Sequence, residues 1–145
     1  MLLAGTETAG LKAEIAEIGD PLFHGETSLY IEEIINNKSD HKVFAAFLDE
    51  KTAGFLILST VLDEAEILEV AVAENLRRAG IASELMSELF EWCKKNGIAR
   101  ILLEVRESNF PARSYYKKFG FAEDGRRRNY YRDPVEDAVL MSETI

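Results

Sequence analysis

The chain holds one cysteine, Cys93, so no intrachain disulfide can form. Its two histidines, His24 and His41, stand apart from each other and from Cys93, which leaves no ligand spacing for a metal, and none is expected. Three prolines and nine glycines gather in no linker-like tract, and no repeat or low-complexity segment divides the sequence. The longest stretch without a charge, Thr52 to Leu62, falls well short of the roughly 18 apolar residues a membrane span needs. The start, "MLLAGTE", lacks a basic segment and carries too short an apolar run for a signal peptide. These absences predict a cytoplasmic protein with no membrane partner. Basic residues are also scarce, 17 Lys and Arg against 26 Asp and Glu, for a formal net charge of -9. That excess argues against a broad nucleic-acid surface and favours cationic partners.

What is present is an ordinary globular composition, 47% hydrophobic and 30% charged over 145 residues, which predicts a single domain spanning 1–145 with a core of its own. Two helical patterns, "LKAEIAEI" and "ETSLYIEEIINN", precede three strand-like runs, "HKVFAAFL", "AGFLILSTVL" and "AEILEVAVA". The breaks between the runs are short enough for hairpin turns, which predicts an antiparallel meander. The pattern then becomes helical: Leu85, Met86, Leu89, Phe90 and Cys93 recur on one face, and Asn96-Gly97 supplies a stop. The strand "ARILLEV" follows at once, and strand, helix and strand in this order predict a parallel crossover. A short helix is expected between Pro111 and Gly120, and the tail reads as two strands around a long polar loop. One mixed sheet with helices on both faces accommodates that order.

Two features carry chemistry. The join "LRRAGIAS" combines Gly80 with the small Ala79 and Ala82 at a helix entry, where unpaired N–H groups and the helix dipole favour an anion, and Arg77 and Arg78 add charge. The residues alone fit either a pyrophosphate site or a plain helix entry with solvated arginines. One glycine is too few for a dinucleotide fingerprint. The second feature is "ARILLEVRESN", where alternation puts Glu104 on the face opposite Ile101, Leu103 and Val105, either as a solvated strand end or as a placed base. Glu69 is a rival carboxylate, expected to share a face with Ile67 and Ala71. Cys93 reads as a small core hydrophobe.

"Arg77-Arg78-Ala79-Gly80-Ile81-Ala82" resembles the pyrophosphate loop of the Gcn5-related N-acetyltransferases: Gln or Arg, two residues, Gly, one residue, then Gly or Ala. More narrowly, "LEVRESN", "YYKKFGF", "RRNYY" and "EDAVLM" resemble the RimI-type branch, which acetylates N-terminal alanine of ribosomal proteins. The resemblance covers residues 40 to 142. It implies an α+β fold with a mixed, mostly antiparallel sheet of about six to seven strands, flanked by helices, in which a splayed parallel pair of strands holds the cofactor. It implies acetyl-CoA as donor and a basic protein N-terminus as acceptor. The cofactor's pyrophosphate is then expected on Arg77, Arg78, Ala79, Gly80, Ile81, Ala82 and Ser83, its pantetheine arm on the backbone of Val70, Ala71 and Val72, with Asn109 bonding it as well.

The same resemblance assigns Glu104 as proton acceptor and Tyr116 as proton donor, with Tyr115 the neighbouring aromatic anchor. The chemistry agrees. An α-amino group with a pKa of about 8 must lose a proton to attack a thioester, and a departing thiolate must gain one. Glu69 is expected to hold the incoming ammonium. By the resemblance, Tyr130 and Tyr131 lie in a loop and wall the peptide groove, whereas "GRRRNYYR" alone also fits a nucleic-acid patch or a cross-strand aromatic pair. Where the family has a Pro-Trp-Ser-like turn on its acceptor side, this chain has Phe23-His24-Gly25-Glu26. The same fold could serve a small amine or a lysine side chain, or bind acyl-CoA without catalysis.

Overall fold

The structure is a computed structural model that describes residues 2–3, 5–36, 40–77 and 79–145. In chain order it runs β1 (Leu2–Leu3), α1 (Gly5–Gly19), α2 (Glu26–Ile35), β2 (His41–Leu48), β3 (Lys51–Val61), β4 (Glu64–Val72), a 3-10 turn (Glu74–Leu76), α3 (Ile81–Lys95), β5 (Arg100–Arg106), α4 (Phe110–Lys118), β6 (Ala122–Tyr131) and β7 (Glu136–Thr144). The described strands form one sheet in the order β1-β2-β3-β4-β5-β7-β6, in which β4 and β5 are parallel and the other neighbours antiparallel. The meander and the crossover follow the sequence pattern. The two-residue strand β1 is too short to leave one.

Helices cover both faces of the sheet's first half. Ile81, Leu85, Met86, Leu89 and Cys93 of α3 pack on Phe44, Leu56, Leu58, Ile67, Ile101 and Leu103. On the opposite face, Ile15 of α1 with Ile31 and Ile34 of α2 packs on Val43, Ala45, Phe55, Ile57 and Ala71. β3 is therefore buried on both sides from Thr52 to Leu58, which is why its sequence reads as a continuous apolar run rather than an alternation. Its hairpin to β2 turns through Asp49 and Glu50, at φ 50° and 67°, the left-handed pair that a tight two-residue turn demands.

The register of β4 changes midway. Ile57 pairs with Glu69 but Leu58 pairs with Ile67, so Leu68 is an extra residue, a β-bulge. The parallel ladder to β5 runs from Glu64↔Arg100 to Ile67↔Leu103 and stops there, although β4 continues to Val72 and β5 to Arg106. Beyond the bulge the two strands part. The bulge also corrects the expected face of Glu69, because Ile67 packs under α3 while Leu68 and Ala71 lie on the side of α1 and α2. Glu69 shares its face with Ala71 and not with Ile67, since strict alternation fails by one residue at Leu68.

A second correction concerns the tail. The basic and aromatic residues expected in a long loop form an edge strand, β6, with Arg126↔Val139 and Arg127↔Ala138 in register and an irregularity before Tyr131. Only residues 132–135 connect β6 to β7. An edge strand exposed along nearly its whole length needs no apolar face and is protected by charge, so its sequence carries no alternation to read.

The α1–α2 junction is tied to β4 by one buried contact. Thr27 Oγ1 donates to Glu69 Oε1 at 2.6 Å, and Glu69 is only 2% exposed. Burial pushes the Glu69 carboxyl up to about 7, Thr27's bond pulls the other way, and the nearby charges of Glu26 and Asp20 push it further up. Asp20 in turn accepts from the backbone N–H and hydroxyl of Ser28. Gly19 permits this closeness: a Cβ there would fall 2.3 Å from Thr27 Oγ1 and 2.7 Å from Phe55 Cζ.

Gly19→Ala is expected to cost about 2 kcal/mol in urea unfolding through overpacking. Gly10→Ala, whose methyl meets nothing within 4 Å, is the control and is expected to be neutral or stabilising. The raised Glu69 carboxyl also predicts a pH dependence. In the unfolded chain Glu69 titrates near its ordinary value, so the fold binds the extra proton between there and about 7. Its contribution to stability is full below that window and is lost as pH rises through it, by up to about 1.4 kcal/mol per pH unit. Thermal unfolding at pH 5 and pH 8 is expected to show a smaller loss in Glu69→Gln than in the parent.

Candidate active site

The parting of β4 from β5 leaves a V-shaped gap. Val72, Ala71 and Val70 pair with Gly54, Phe55 and Leu56 of β3 on one side, and have no rung to β5 on the other. Backbone groups of this stretch are therefore available to an extended ligand that carries amides of its own. The gap leads toward the start of α3. There Gly80 sits at φ 80°, caps the helix without a side chain, and would meet nothing within 4 Å if it had a Cβ, so the left-handed backbone is what requires glycine. The first-turn N–H groups, at Ile81, Ala82 and Ser83, have no partner within the helix. Ile81 is buried and anchors the turn, whereas Arg77, Ala79 and Ser83 are exposed around it. Arg78, expected in the same loop, lies outside the described residues.

Helix α4 closes the far side. Asn109 caps it, its side chain accepting from the N–H of Ala112 at 3.2 Å, with Pro111 in the first turn. Tyr115 donates to the carbonyl of Ala82 at 2.8 Å and so ties α4 to the first turn of α3. Tyr116 stands edge-on to Tyr115 and Phe121, with ring centroids at 5.2 Å and 5.6 Å. Burial first, then the neighbouring Tyr115 and Tyr131, drive its phenol well above the ordinary tyrosine value.

Glu104 is the first residue of β5 past the last rung to β4 and faces away from α3. Its side chain is 19% exposed, and Arg127 Nε of β6 lies 3.1 Å from its Oε1. The hydroxyl of Tyr130 is raised by the Glu104 charge and by its hydrogen bond to that carboxylate. Burial and Glu104 push Tyr131 up to about 12, and Arg106 lies 4.5 Å over its ring. Tyr131 is thus within electrostatic reach of both Glu104 and Tyr116, which links the two sides of the gap. Glu69 stands apart on the α1–α2 side, behind Thr27, with its Oε2 buried and without a hydrogen-bond partner among the described residues.

The structure adds two residues that sequence reasoning missed, Glu66 and Arg127. Glu66 could have been found, because outward alternation on β4 before the bulge places it beside the outward face of β5. Arg127 could not, because its position depends on the register of an edge strand. A cavity of about 300 Å³ collects Glu66, Glu104 and Arg127 with Leu102 and Leu140. A larger cleft of about 490 Å³ lies between α1 and the end of β4; it touches Val72 and Arg77 but neither Glu104 nor the tyrosines.

The sequence profile of the Acetyltransferase (GNAT) family matches residues 13–121. A Bacillus subtilis (strain 168) protein provisionally assigned as a ribosomal protein bS18-alanine N-acetyltransferase is 36% identical over 116 residues, 80% of this chain and 76% of that one. The ribosomal protein bS18-alanine N-acetyltransferase of Escherichia coli (strain K12) is 42% identical over 94 residues, 63% of this chain and 64% of that protein. The crystal structure of the Escherichia coli enzyme superposes with a TM-score of 0.79 at 30% identity, over 100% of this chain and 93% of that one. An aminoglycoside 6'-N-acetyltransferase complexed with coenzyme A shares the fold, with a TM-score of 0.82 at 16% identity over 99% of this chain and 96% of that one. On the profile match and these relatives, the chain belongs to the GNAT family of N-acetyltransferases, in its RimI-type branch.

Proposed function

We propose that this enzyme transfers acetyl from acetyl-CoA to the α-amino group of a protein beginning with alanine, a basic ribosomal protein of the bS18 kind, with Glu104 as base and Tyr116 as acid. The Bacillus subtilis and Escherichia coli relatives named above are ribosomal protein bS18-alanine N-acetyltransferases by their names, and the excess of acidic residues suits a basic acceptor, which it would steer toward the site. Such an acceptor places the reaction in the cytoplasm. The observation that carries the reading is the position of Glu104, at the apex of the gap and on the face left open by the helices.

The residues present fit acetyl-CoA: unpaired backbone at Val70, Ala71 and Val72, a helix start over Gly80 to Ser83 without a side-chain cap and with Arg77 beside it, and the amide of Asn109. Bound there, it supplies a thioester acetyl group and a thiolate leaving group. Glu104 takes one proton from the ammonium, directly or through a water, because the amine is mostly protonated at neutral pH. Tyr116, whose raised phenol stays protonated, gives one to the sulfur, and the second proton that the nitrogen loses as the amide forms passes to solvent, which restores the phenol. Backbone N–H groups near Val70 stabilise the oxyanion of the tetrahedral intermediate. Tyr130 and Tyr131 flank the acceptor's first residues. Glu69 acts from behind this wall, holding the α1–α2 junction in place through Thr27.

The purified enzyme with acetyl-CoA is expected to acetylate a peptide beginning Ala-Arg, and not the same peptide with a blocked N-terminus and an internal lysine. Acetylation of the lysine alone would overturn the proposal. Glu104→Gln is expected to lower kcat about 100-fold at pH 7. The deficit should shrink above pH of about 8, where the amine is already free, with the KM for acetyl-CoA unchanged.

A further inference from the structure

The open face of the sheet carries a three-charge cluster around the proposed base. Glu66 of β4 is in register with Leu102, two positions before Glu104, and both carboxylates lie opposite the face that buries Ile67 and Leu103 under α3. Arg127 reaches the same face across β7, through the registers Arg127↔Ala138 and Ala138↔Arg106. Its Nε is 3.1 Å from Glu104 Oε1, and its guanidinium lies 5.5 Å from the Tyr130 ring centre. Burial and the Glu104 charge push the Glu66 carboxyl up, and Arg127 pulls it back.

Among the described residues, the other groups facing the cluster are committed elsewhere or uncharged. Arg100 bonds Glu64, Asp124 and Ser142. Arg106 bonds Glu136 and the carbonyls of Arg132 and Pro134. Tyr130 and Tyr131 face Glu104, and Tyr30 of α2 faces Glu66. Arg127 is therefore the cation that serves the pair. Its side chain is 58% exposed on an edge strand, whereas Glu104 is 19% exposed, so the arginine can leave at little cost while the carboxylate stays.

Resting on the reading of Glu104 as base, we propose that Arg127 is a built-in stand-in for the acceptor's ammonium, which it keeps out until an amine displaces it, and that Glu66 and Arg127 together govern the charge of the Glu104 site. Two neighbouring carboxylates resist carrying charge together unless a cation lies between them. Arg127 meets that need in the resting enzyme, and the incoming ammonium meets it in the complex. The ammonium then gives its proton to Glu104 and becomes the attacking amine. As the acetylated product leaves, Arg127 returns and the proton on Glu104 passes to water. Arg127 is thus a positioning residue and a competitor for the acceptor site.

The test is the pH profile of kcat/KM for an Ala-Arg peptide from pH 5 to 9, with the peptide's KM at pH 8, in Arg127→Ala, Arg127→Lys, Glu66→Gln and the Arg127→Ala/Glu66→Gln double variant. In Arg127→Ala the acid limb is expected to move up by about one pH unit, while the peptide KM falls about threefold. Arg127→Lys should restore the limb, and so should Glu66→Gln added to Arg127→Ala. An unmoved limb, or a raised KM in Arg127→Ala, overturns the proposal, as does a limb that Glu66→Gln leaves shifted. Glu104→Gln separates the two readings: full activity there removes the base assignment itself, whereas a large loss beside an unmoved Arg127→Ala limb removes only the stand-in. Equal thermal midpoints for parent and Arg127→Ala, expected for an exposed side chain, keep the comparison on catalysis.

Discussion

The active-site architecture depends on one extra residue. Leu68 has no partner on β3, and where it bulges the parallel ladder from β4 to β5 ends. A bulge bends its strand and adds twist, which turns the second half of β4 away from β5. Three consequences follow from that one insertion. Val70 to Val72 keep their rungs to β3 but lose their other neighbour, Glu104 becomes the first β5 residue at the opening, and Glu69 swings to the face of α1 and α2. Unpaired strand backbone inside a sheet is costly unless water or a ligand satisfies it. A sheet that opens midway is therefore fitted to a ligand that completes it.

The two carboxylates on either side of the bulge show how sharply one residue of register divides roles. Glu69 is sealed behind Thr27, with one oxygen bonded and the other without a partner among the described residues, and burial lifts it to about 7. A neutral acid at that place costs little, and its bond from Thr27 pins the α1–α2 junction to β4. Glu104 instead keeps a counterion, Arg127, and two phenols at its open end. Environment rather than residue type separates the structural carboxylate from the candidate base.

Much of this was legible in the sequence. The meander, the crossover and the short helix after Asn109 follow from apolar period and from Gly and Pro placement, and the loop around Gly80 follows from small residues at a helix entry. Glu104 stood out because it breaks an apolar strand. Illegible was whatever depends on register: a bulge at Leu68 has no signature of its own among "AEILEVAV", so strict alternation put Glu69 with Ile67. Edge strand β6 hid for a related reason, since charge protects an edge and erases the pattern by which strands are read. The Thr27–Glu69 contact joins residues 42 positions apart and depends on the close approach at Gly19, which no local pattern announces.

The charge distribution explains why an acidic enzyme keeps a basic strand beside its site. On the proposed function, an acceptor that brings a positive N-terminus would be drawn by the net charge of -9, but bare carboxylates at the apex would repel one another or hold the cation too long. A guanidinium on an exposed strand offsets both tendencies, because it neutralises the pair and yields to a cation that binds slightly better. Its attachment to the sheet edge rather than to the core matters for the same reason, since the exposed ion pair contributes at most about 1 kcal/mol and a stronger one would shut the acceptor out.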